Sequence, residues 1–171
     1  MKMMHKILLI TGTPGVGKTT LANSLRQLGY IVYNLFDLAS ELKCIGDTDE
    51  KRDAVIVDDD CLYKKLPEWI ARQSAEFMVF EGHFADVVPE EYLDSCLVLS
   101  PPIDILRPRL LARGYSEDKI MENIEAHIMK ECYYDALEYY GPERVSEITI
   151  LDEQKLLDHT LQLISNITTG E

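Results

Sequence analysis

The residues best suited to chemistry form one short stretch near the start of the chain, Gly12–Thr19, which reads GTPGVGKT. The spacing G-x-x-x-x-G-K-T is typical of a loop that binds phosphate. Glycines such as Gly15 and Gly17 let backbone N–H groups approach phosphate oxygens, and Lys18 adds a positive charge. We therefore predict that Lys18 contacts the β- and γ-phosphates of a nucleoside triphosphate. The hydroxyl of Thr19 is the expected ligand of Mg²⁺.

The alternative is a glycine-rich turn that only connects two elements. The segment before the loop, Lys6–Thr11, is apolar and predicts a strand, while Thr20–Leu28 has the pattern of a helix. A strand, the loop and a helix in this order are the context that the phosphate-binding motif requires. The helix also directs the positive end of its dipole at the bound anion. We therefore favour nucleotide binding.

Two further candidates follow the apolar run Phe77–Phe80, which predicts a strand buried on both faces. Glu81, at the end of that strand, would hold Mg²⁺ or its water ligands, unless it simply points into solvent. His83 would orient an attacking water or an acceptor, or couple the nucleotide state to a conformational change. A structural histidine is equally consistent with the pattern.

Two arginines, Arg109 and Arg113, are four residues apart in a predicted helix and share one face. Arg113 immediately precedes Gly114, where the chain can pivot. Arginines on a mobile segment above the phosphates would stabilise the charge that develops during phosphoryl transfer. The alternative is a basic face exposed to solvent.

Two other clusters favour structural roles. Four tyrosines lie at helical spacing, and packing explains them better than stacking on a base: Tyr133, Tyr134, Tyr139 and Tyr140. The run Asp58–Asp60 fits the N-terminus of a helix, where negative charge is favourable, better than it fits a metal site.

Strand and helix patterns alternate along the chain and should position these residues. The predicted strands are Lys6–Thr11, Ile31–Asn34, Phe77–Phe80, Ser95–Leu99 and Ser146–Leu151, with a brief apolar run at Ala54–Val57. The predicted helices are Thr20–Leu28, Leu38–Lys43, Asp58 to about Gln73, Ile103–Arg113, Ser116 to about Tyr140, and Glu153 to about Ile167. Asp37 is the predicted cap of the second helix. Pro67 is expected to bend or split the third helix, and Pro108 to interrupt the fourth. The segment Cys44–Asp53 predicts an exposed loop.

Such alternation predicts an α/β fold: a three-layer sandwich with a five-stranded parallel sheet and helices on both faces. In such sheets the ligand lies beyond the carboxyl ends of the strands. The expected rim of the active site is therefore Thr11–Lys18, Asn34–Asp37, Glu81–His83, Ser100 and Asp152.

Composition limits the remaining function classes. A chain of 171 residues with 46% hydrophobic and 27% charged residues suits one globular domain, and we expect it to be cytoplasmic. The apolar run near the start leads into the phosphate loop without a cleavage site, so we interpret it as a strand and not as a signal peptide. With 30 acidic and 17 basic residues, the net charge of −13 argues against binding to DNA, RNA or anionic lipid and suits a basic protein partner.

The four cysteines, Cys44, Cys61, Cys96 and Cys132, lie far apart and form no C-x-x-C pair. We interpret them as reduced, mostly buried thiols and not as metal ligands.

Four motifs together resemble the adenylate kinase isoenzyme 6 family: Gly12–Thr20, Asp37–Ala39, the acid-x-His of Glu81–His83, and Arg113-Gly114-Tyr115. The resemblance runs nearly end to end. It implies a P-loop fold, reversible phosphoryl transfer from ATP to a nucleoside monophosphate, and a slow ATPase activity. It also implies transient binding to a protein of the small ribosomal subunit during its maturation.

The resemblance implies roles for individual positions. ATP would be held by Gly15, Gly17, Lys18, Thr19 and Thr20. Arg113 would contact its phosphates from a short lid at about 112–122, and His83 would be the histidine required for turnover. The segment at about 35–58 would bind the monophosphate, and the adenine would rest near Asp152 and Glu153.

Two positions depart from the family pattern. Glu81 stands where members of the family carry aspartate, and Ser40 stands where many carry an arginine that grips the monophosphate. We therefore expect acceptor binding to be weak or to depend on Lys43 or Arg52. Asp37, in the motif shared with the family, is a further expected contact of the acceptor.

Three functions follow from these residues: a nucleoside monophosphate kinase, an assembly ATPase whose nucleotide state gates a protein partner, and a kinase of small metabolites such as shikimate or dephospho-coenzyme A.

Overall fold

Seven strands are present in a computed structural model of the chain, which describes residues 4–50 and 54–171. They are β1 (Lys6–Thr11), β2 (Val32–Asn34), β3 (Ile45–Asp49), β4 (Ala54–Val57), β5 (Phe77–Glu81), β6 (Ser95–Leu99) and β7 (Val145–Ile148). Five of them form one sheet in the order β2-β5-β1-β6-β7, and every neighbouring pair in it is parallel. The predicted five-stranded parallel sheet is confirmed.

Helices cover both faces of this sheet. They are α1 (Lys18–Gln27), α2 (Leu35–Glu41), α3 (Asp59–Ala71), α4 (Leu106–Ala112), α5 (Glu117–Ile128), α6 (Glu131–Tyr140) and α7 (Glu153–Thr169). Successive residues of β1 point to opposite faces. Leu8 and Ile10 therefore pack with α1, α4 and α7, whereas Ile7 and Leu9 pack with α2, α3 and α6. Among the described residues, no helix combines the length and apolar character needed to cross a membrane.

The register of the central strands brings the predicted site residues to one edge. Ile10 of β1 lies beside Glu81 of β5, and Asn34 of β2 lies on the other side of Glu81. Because these strands are parallel, all three end at the same edge of the sheet. The phosphate loop begins there, directly after Thr11.

The prediction of an exposed loop at Cys44–Asp53 is wrong. In the structure β3 pairs with β4 as an antiparallel ribbon, with Thr48 opposite Val55. Apart from Ile45 and Val57, which pack against the core at the base of the ribbon, the strands are largely exposed, so their polar residues give no alternating pattern. Arg52, a predicted acceptor contact, lies outside the described residues.

The short helix after β2 begins earlier than predicted. Its N-cap is Asn34, whose side-chain oxygen accepts a hydrogen bond from the backbone N–H of Asp37 at 2.9 Å. Asp37 is therefore not the cap but an acid within the first turn, where negative charge is also favourable.

Three other helices differ from their predicted form at two prolines and at one residue with a left-handed backbone conformation. The long helix predicted from Ser116 to Tyr140 is two helices, because Lys130 adopts a left-handed conformation with φ 52° between α5 and α6. α3 continues as one helix through Pro67 instead of splitting. Pro108 lies in the first turn of α4, after a short 3₁₀ turn at Ile103–Ile105, where its missing N–H costs no helical hydrogen bond.

The prediction of four reduced thiols is wrong for one pair. Cys44 and Cys61 form a disulfide with their Cα atoms 5.5 Å apart. Cys44 immediately precedes β3 and Cys61 lies in the first turn of α3, and the N–H of Asp58 donates to the carbonyl of Cys44 at 2.7 Å. Cys96 and Cys132 are free thiols, and burial raises the pKa of Cys96 to about 12.

Candidate active site

The phosphate loop connects β1 to α1 through backbone conformations that favour glycine. Gly17, the N-cap of α1, has φ 107°. Gly12 has φ 148°, and a Cβ there would lie 2.8 Å from the carbonyl oxygen of Leu99. A side chain at Gly12 would therefore displace β6 or the loop.

The ammonium group of Lys18 lies across the loop. It donates to the carbonyl oxygens of Gly12 and of Thr13, the latter at 3.0 Å. Burial of the ammonium is the main reason why its pKa is lowered to about 8. Cys132 and Glu81 oppose this lowering of the pKa, and the positive charge of Arg113 adds to it. A poorly hydrated cation bound to neutral carbonyls will interact strongly with an anion. The loop is thus suited to attract phosphate.

Two cavities flank the loop and share part of its wall. The first has a volume of about 340 Å³ and the second about 310 Å³. Gly15, Thr19 and Arg113 line both. Two ligands bound in these cavities would therefore meet at the phosphate loop, with Arg113 between them.

The first cavity suits a nucleoside. Its walls include Thr20, Pro101, Arg109, Ile150, Leu151 and Glu153. The guanidinium of Arg109 is held in place because its Nη1 donates to the carbonyl oxygen of Gly15 at 2.9 Å. Asp152, by contrast, is engaged as the N-cap of α7, where it accepts from the N–H of Lys155 at 2.8 Å. Apolar and planar side chains around a polar rim are typical of sites for flat heterocycles.

The second cavity brings Glu81 and His83 to the lysine of the loop. Lys18, Thr19, Glu81 and His83 all line it. His83 is exposed as a whole residue, but desolvation of its ring in this cavity, followed by the charge of Lys18, lowers the pKa of the imidazole to about 4. His83 is therefore neutral near pH 7, where it can orient a hydroxyl or a water by hydrogen bonding without adding charge.

The structure does not bring the predicted acceptor contacts Asp37 and Lys43 to this cavity. Among the described residues, α2 contributes Phe36 to the cavity wall, while Asp37 and Lys43 are exposed outside it. Lys43 follows α2 with φ 58°. The roles of Asp37, Lys43 and Arg52 stay predictions.

The predicted lid at about 112–122 comprises the end of α4, a short turn over 113–116 and the first half of α5. Arg113 and Tyr115 from this turn line the second cavity. An ion pair between Arg107 and Glu117 joins the two helices on either side of the turn. Both side chains are well exposed, so the pair adds little stability and permits movement of the turn.

Sequence reasoning missed His127, which lies in the last turn of α5. Its Nε2 is 2.7 Å from the carbonyl oxygen of Pro101, and its Nδ1 is 3.3 Å from the hydroxyl of Thr13. A carbonyl can only accept, so Nε2 carries a proton and donates to Pro101. The contact joins α5 to the phosphate loop and to a wall of the first cavity. A single histidine within an amphipathic helix gave no signal of it.

Magnesium fits the residues at the boundary of the two cavities. The Thr19 hydroxyl and the Glu81 carboxylate offer oxygen ligands, which Mg²⁺ prefers, and both line the second cavity. Within the described part of the chain, no group of three or more His, Cys, Asp or Glu residues is placed to hold a metal. One carboxylate and one hydroxyl suit Mg²⁺, which takes its remaining ligands from phosphates and water.

Known proteins are similar in sequence to most of this chain. The family model described as an AAA domain matches residues 8–130. The adenylate kinase isoenzyme 6 homolog of Saccharomyces cerevisiae is 35% identical over 162 residues, covering 92% of this chain and 80% of that protein. A putative adenylate kinase of Methanosarcina barkeri is 35% identical over 164 residues, covering 94% of this chain and 87% of its own.

Solved structures confirm the fold. A structure of TT1252 from Thermus thermophilus superposes with a TM-score of 0.61 at 22% identity, covering 94% of this chain and 96% of its own. A shikimate kinase from Acinetobacter baumannii, solved with shikimate, also has a TM-score of 0.61, at 18% identity, covering 96% and 95%. At these identities the likeness concerns the architecture alone.

Proposed function

This chain belongs to the adenylate kinase isoenzyme 6 family, and from that premise we propose that it is a nucleoside monophosphate kinase. It would transfer the γ-phosphoryl group of ATP to AMP or to another nucleoside monophosphate. The observation that carries this proposal is the pair of cavities that meet at Gly15, Thr19 and Arg113. Transfer between two nucleotides needs two adjacent sites on opposite sides of one phosphate.

The residues of the site would act mainly through charge and position. Lys18 and Arg113 would neutralise the negative charge that develops on the transferred group. His83, neutral at physiological pH, would orient the acceptor or a water. Thr19 and Glu81 would hold Mg²⁺ or its water ligands, and the ion would supply further charge neutralisation. ATP hydrolysis would follow when water replaces the acceptor in the second cavity.

The test is direct. Purified protein is mixed with Mg-ATP and, separately, with each common nucleoside monophosphate, with shikimate, with dephospho-coenzyme A and with no acceptor. We expect diphosphate products from at least one monophosphate, and slower ADP release without acceptor. Transfer to a metabolite and to no monophosphate would identify a metabolite kinase instead. Absence of transfer to every acceptor would end the kinase proposal.

A second role is favoured by the charge of the chain. We propose that the protein also acts in the cytoplasm as an ATPase in small ribosomal subunit maturation, where its net charge of −13 would complement a basic ribosomal protein. Purified small-subunit proteins can be captured on the immobilised chain with ATP, with ADP and without nucleotide. Nucleotide-dependent retention of a basic protein is expected, and equal retention in all three conditions would contradict gating.

A further inference from the structure

We propose that Asn34 is a positioning residue that fixes the carboxylate of Glu81 and ties it to the first turn of α2. This inference rests on the proposed function, because it concerns how the cavity that would hold the acceptor communicates with the acid that would hold Mg²⁺.

The nitrogen and the oxygen of the Asn34 side-chain amide each form a hydrogen bond. Its Nδ2 donates to Oε1 of Glu81 at 2.6 Å. Its Oδ1 accepts from the backbone N–H of Asp37 at 2.9 Å, which caps α2. The two residues are direct neighbours on the adjacent parallel strands β2 and β5, so the backbone sets their separation. One side chain therefore joins the acid to the helix that opens the acceptor segment.

The chemistry of an amide suits this position. Glu81 is only 4% exposed, and a poorly hydrated carboxylate needs a hydrogen-bond donor. An amide donor satisfies one oxygen without cancelling the charge, as an arginine or a lysine would. Because Asn34 engages Oε1, Oε2 is the oxygen that can face a cation or its water. The contact thus sets the orientation of the acid.

A second contact connects the same two elements. Gly82 follows Glu81, and Leu35 follows Asn34. A Cβ added at Gly82 would lie 3.0 Å from Cβ of Leu35, so the two backbones are closely packed. Movement of α2 when an acceptor binds would therefore reach Glu81 through backbone packing and through the Asn34 amide together.

Three substitutions separate the two bonds of the amide. Asn34→Ser keeps a capping oxygen for α2 but removes the donor to Glu81. Asn34→Asp also keeps the cap, and it places a second carboxylate against the first. Asn34→Ala removes both bonds. We expect kcat to fall about tenfold in Asn34→Ser, with little change in the acceptor KM, because a hydrogen bond to a charged group is lost. Asn34→Asp should lower kcat further than Asn34→Ser does. Asn34→Ala should lower kcat and also raise the acceptor KM.

A readout independent of transfer is the gain in ATP affinity when Mg²⁺ is added, measured by titration of a fluorescent ATP analogue with and without the metal. We expect this gain to shrink severalfold in Asn34→Ser while affinity without Mg²⁺ stays at the wild-type value. This titration works even if the wild-type protein phosphorylates no acceptor. Failure of the proposed function and failure of the present inference are thus distinguishable.

A double-mutant cycle with Glu81→Gln decides whether Asn34 acts through Glu81. If it does, Asn34→Ser will have no further effect on kcat or on the Mg²⁺ response in the Glu81→Gln background. Equal losses in both backgrounds would overturn the proposal. So would an Asn34→Ser protein with a lower unfolding temperature but an unchanged kcat and Mg²⁺ response, because the amide would then be purely structural.

Discussion

The two sides of the phosphate loop are built differently. On the side of the first cavity, long-range hydrogen bonds hold the loop: Arg109 binds the carbonyl of Gly15, and His127 joins Thr13 to Pro101. On the side of the second cavity, Asn34 bonds to Glu81 and caps α2, but no such bond reaches the loop from the exposed ribbon of β3 and β4, which belongs to the proposed acceptor segment, in the described part of the chain.

This difference is consistent with separate roles for the two sides of the loop. Contacts with α4 and α5 hold the loop and the wall of the first cavity, which is the proposed triphosphate side. The acceptor side has its predicted cationic contact Lys43 outside the cavity wall. If Lys43 contacts a bound monophosphate, as predicted, α2 or the ribbon would have to move to bring it there.

The largest effect is expected from Lys18→Ala, which removes the cation of the organised side. Turnover should fall on the order of 10³-fold, because a buried donor to the transferred phosphoryl group is lost. Steady-state rates of ADP formation measure it. The matched control is Lys64→Ala, an exposed lysine on α3, which should keep the wild-type rate. A Lys18→Ala protein with near-normal turnover would remove the phosphate loop from the mechanism.

His83→Ala tests the acceptor side alone. We expect turnover to fall about 10²-fold, as for loss of a positioned hydrogen-bonding group, with ATP affinity unchanged. His159→Ala, at an exposed histidine of α7, serves as the control. Equal losses of rate and of ATP affinity would show that His83 supports both sides and is structural.

The pH dependence of ATP capture should be set by Lys18. In the free protein the pKa of this ammonium is lowered to about 8, so the charged form that attracts phosphate is lost as the pH rises through that value. The kcat/KM for ATP, which reports the free protein, should therefore fall about tenfold per pH unit well above pH 8. The neutral His83, with its pKa lowered to about 4, should add no change between pH 6 and 8. A flat profile up to pH 10 would contradict this account.

The difference between the two sides of the phosphate loop also explains which features could be predicted from the sequence. The phosphate loop is a local motif between a strand and a helix, so residues Gly12–Thr19 were sufficient to predict both its place and its neighbours. The sheet followed from apolar runs such as Phe77–Phe80, because strands buried on both faces leave a continuous signal.

The acceptor side depends on contacts between distant residues, and there the predictions failed. The ribbon of β3 and β4 carries no alternating pattern. The disulfide joins Cys44 to Cys61, 17 residues apart, with no spacing motif. The cap of α2 was assigned to Asp37 and not to Asn34, because both residue types cap helices and only the backbone angles of β2 decide between them.

The smallest effect on turnover is expected from the disulfide, which lies on the acceptor side away from the phosphates. Reduction, or the Cys44→Ser and Cys61→Ser double substitution, should lower the free energy of unfolding by about 3 kcal/mol, because the unfolded chain regains the freedom of a loop of roughly this length. Thermal unfolding with and without dithiothreitol measures this change, and the double variant should be insensitive to the reductant.

The acceptor KM should rise a few-fold, since α3 no longer anchors the base of the ribbon, while the ATP KM stays constant. If both KM values rose together, the ribbon would also support the triphosphate side, and the proposed division between the two sides would be wrong.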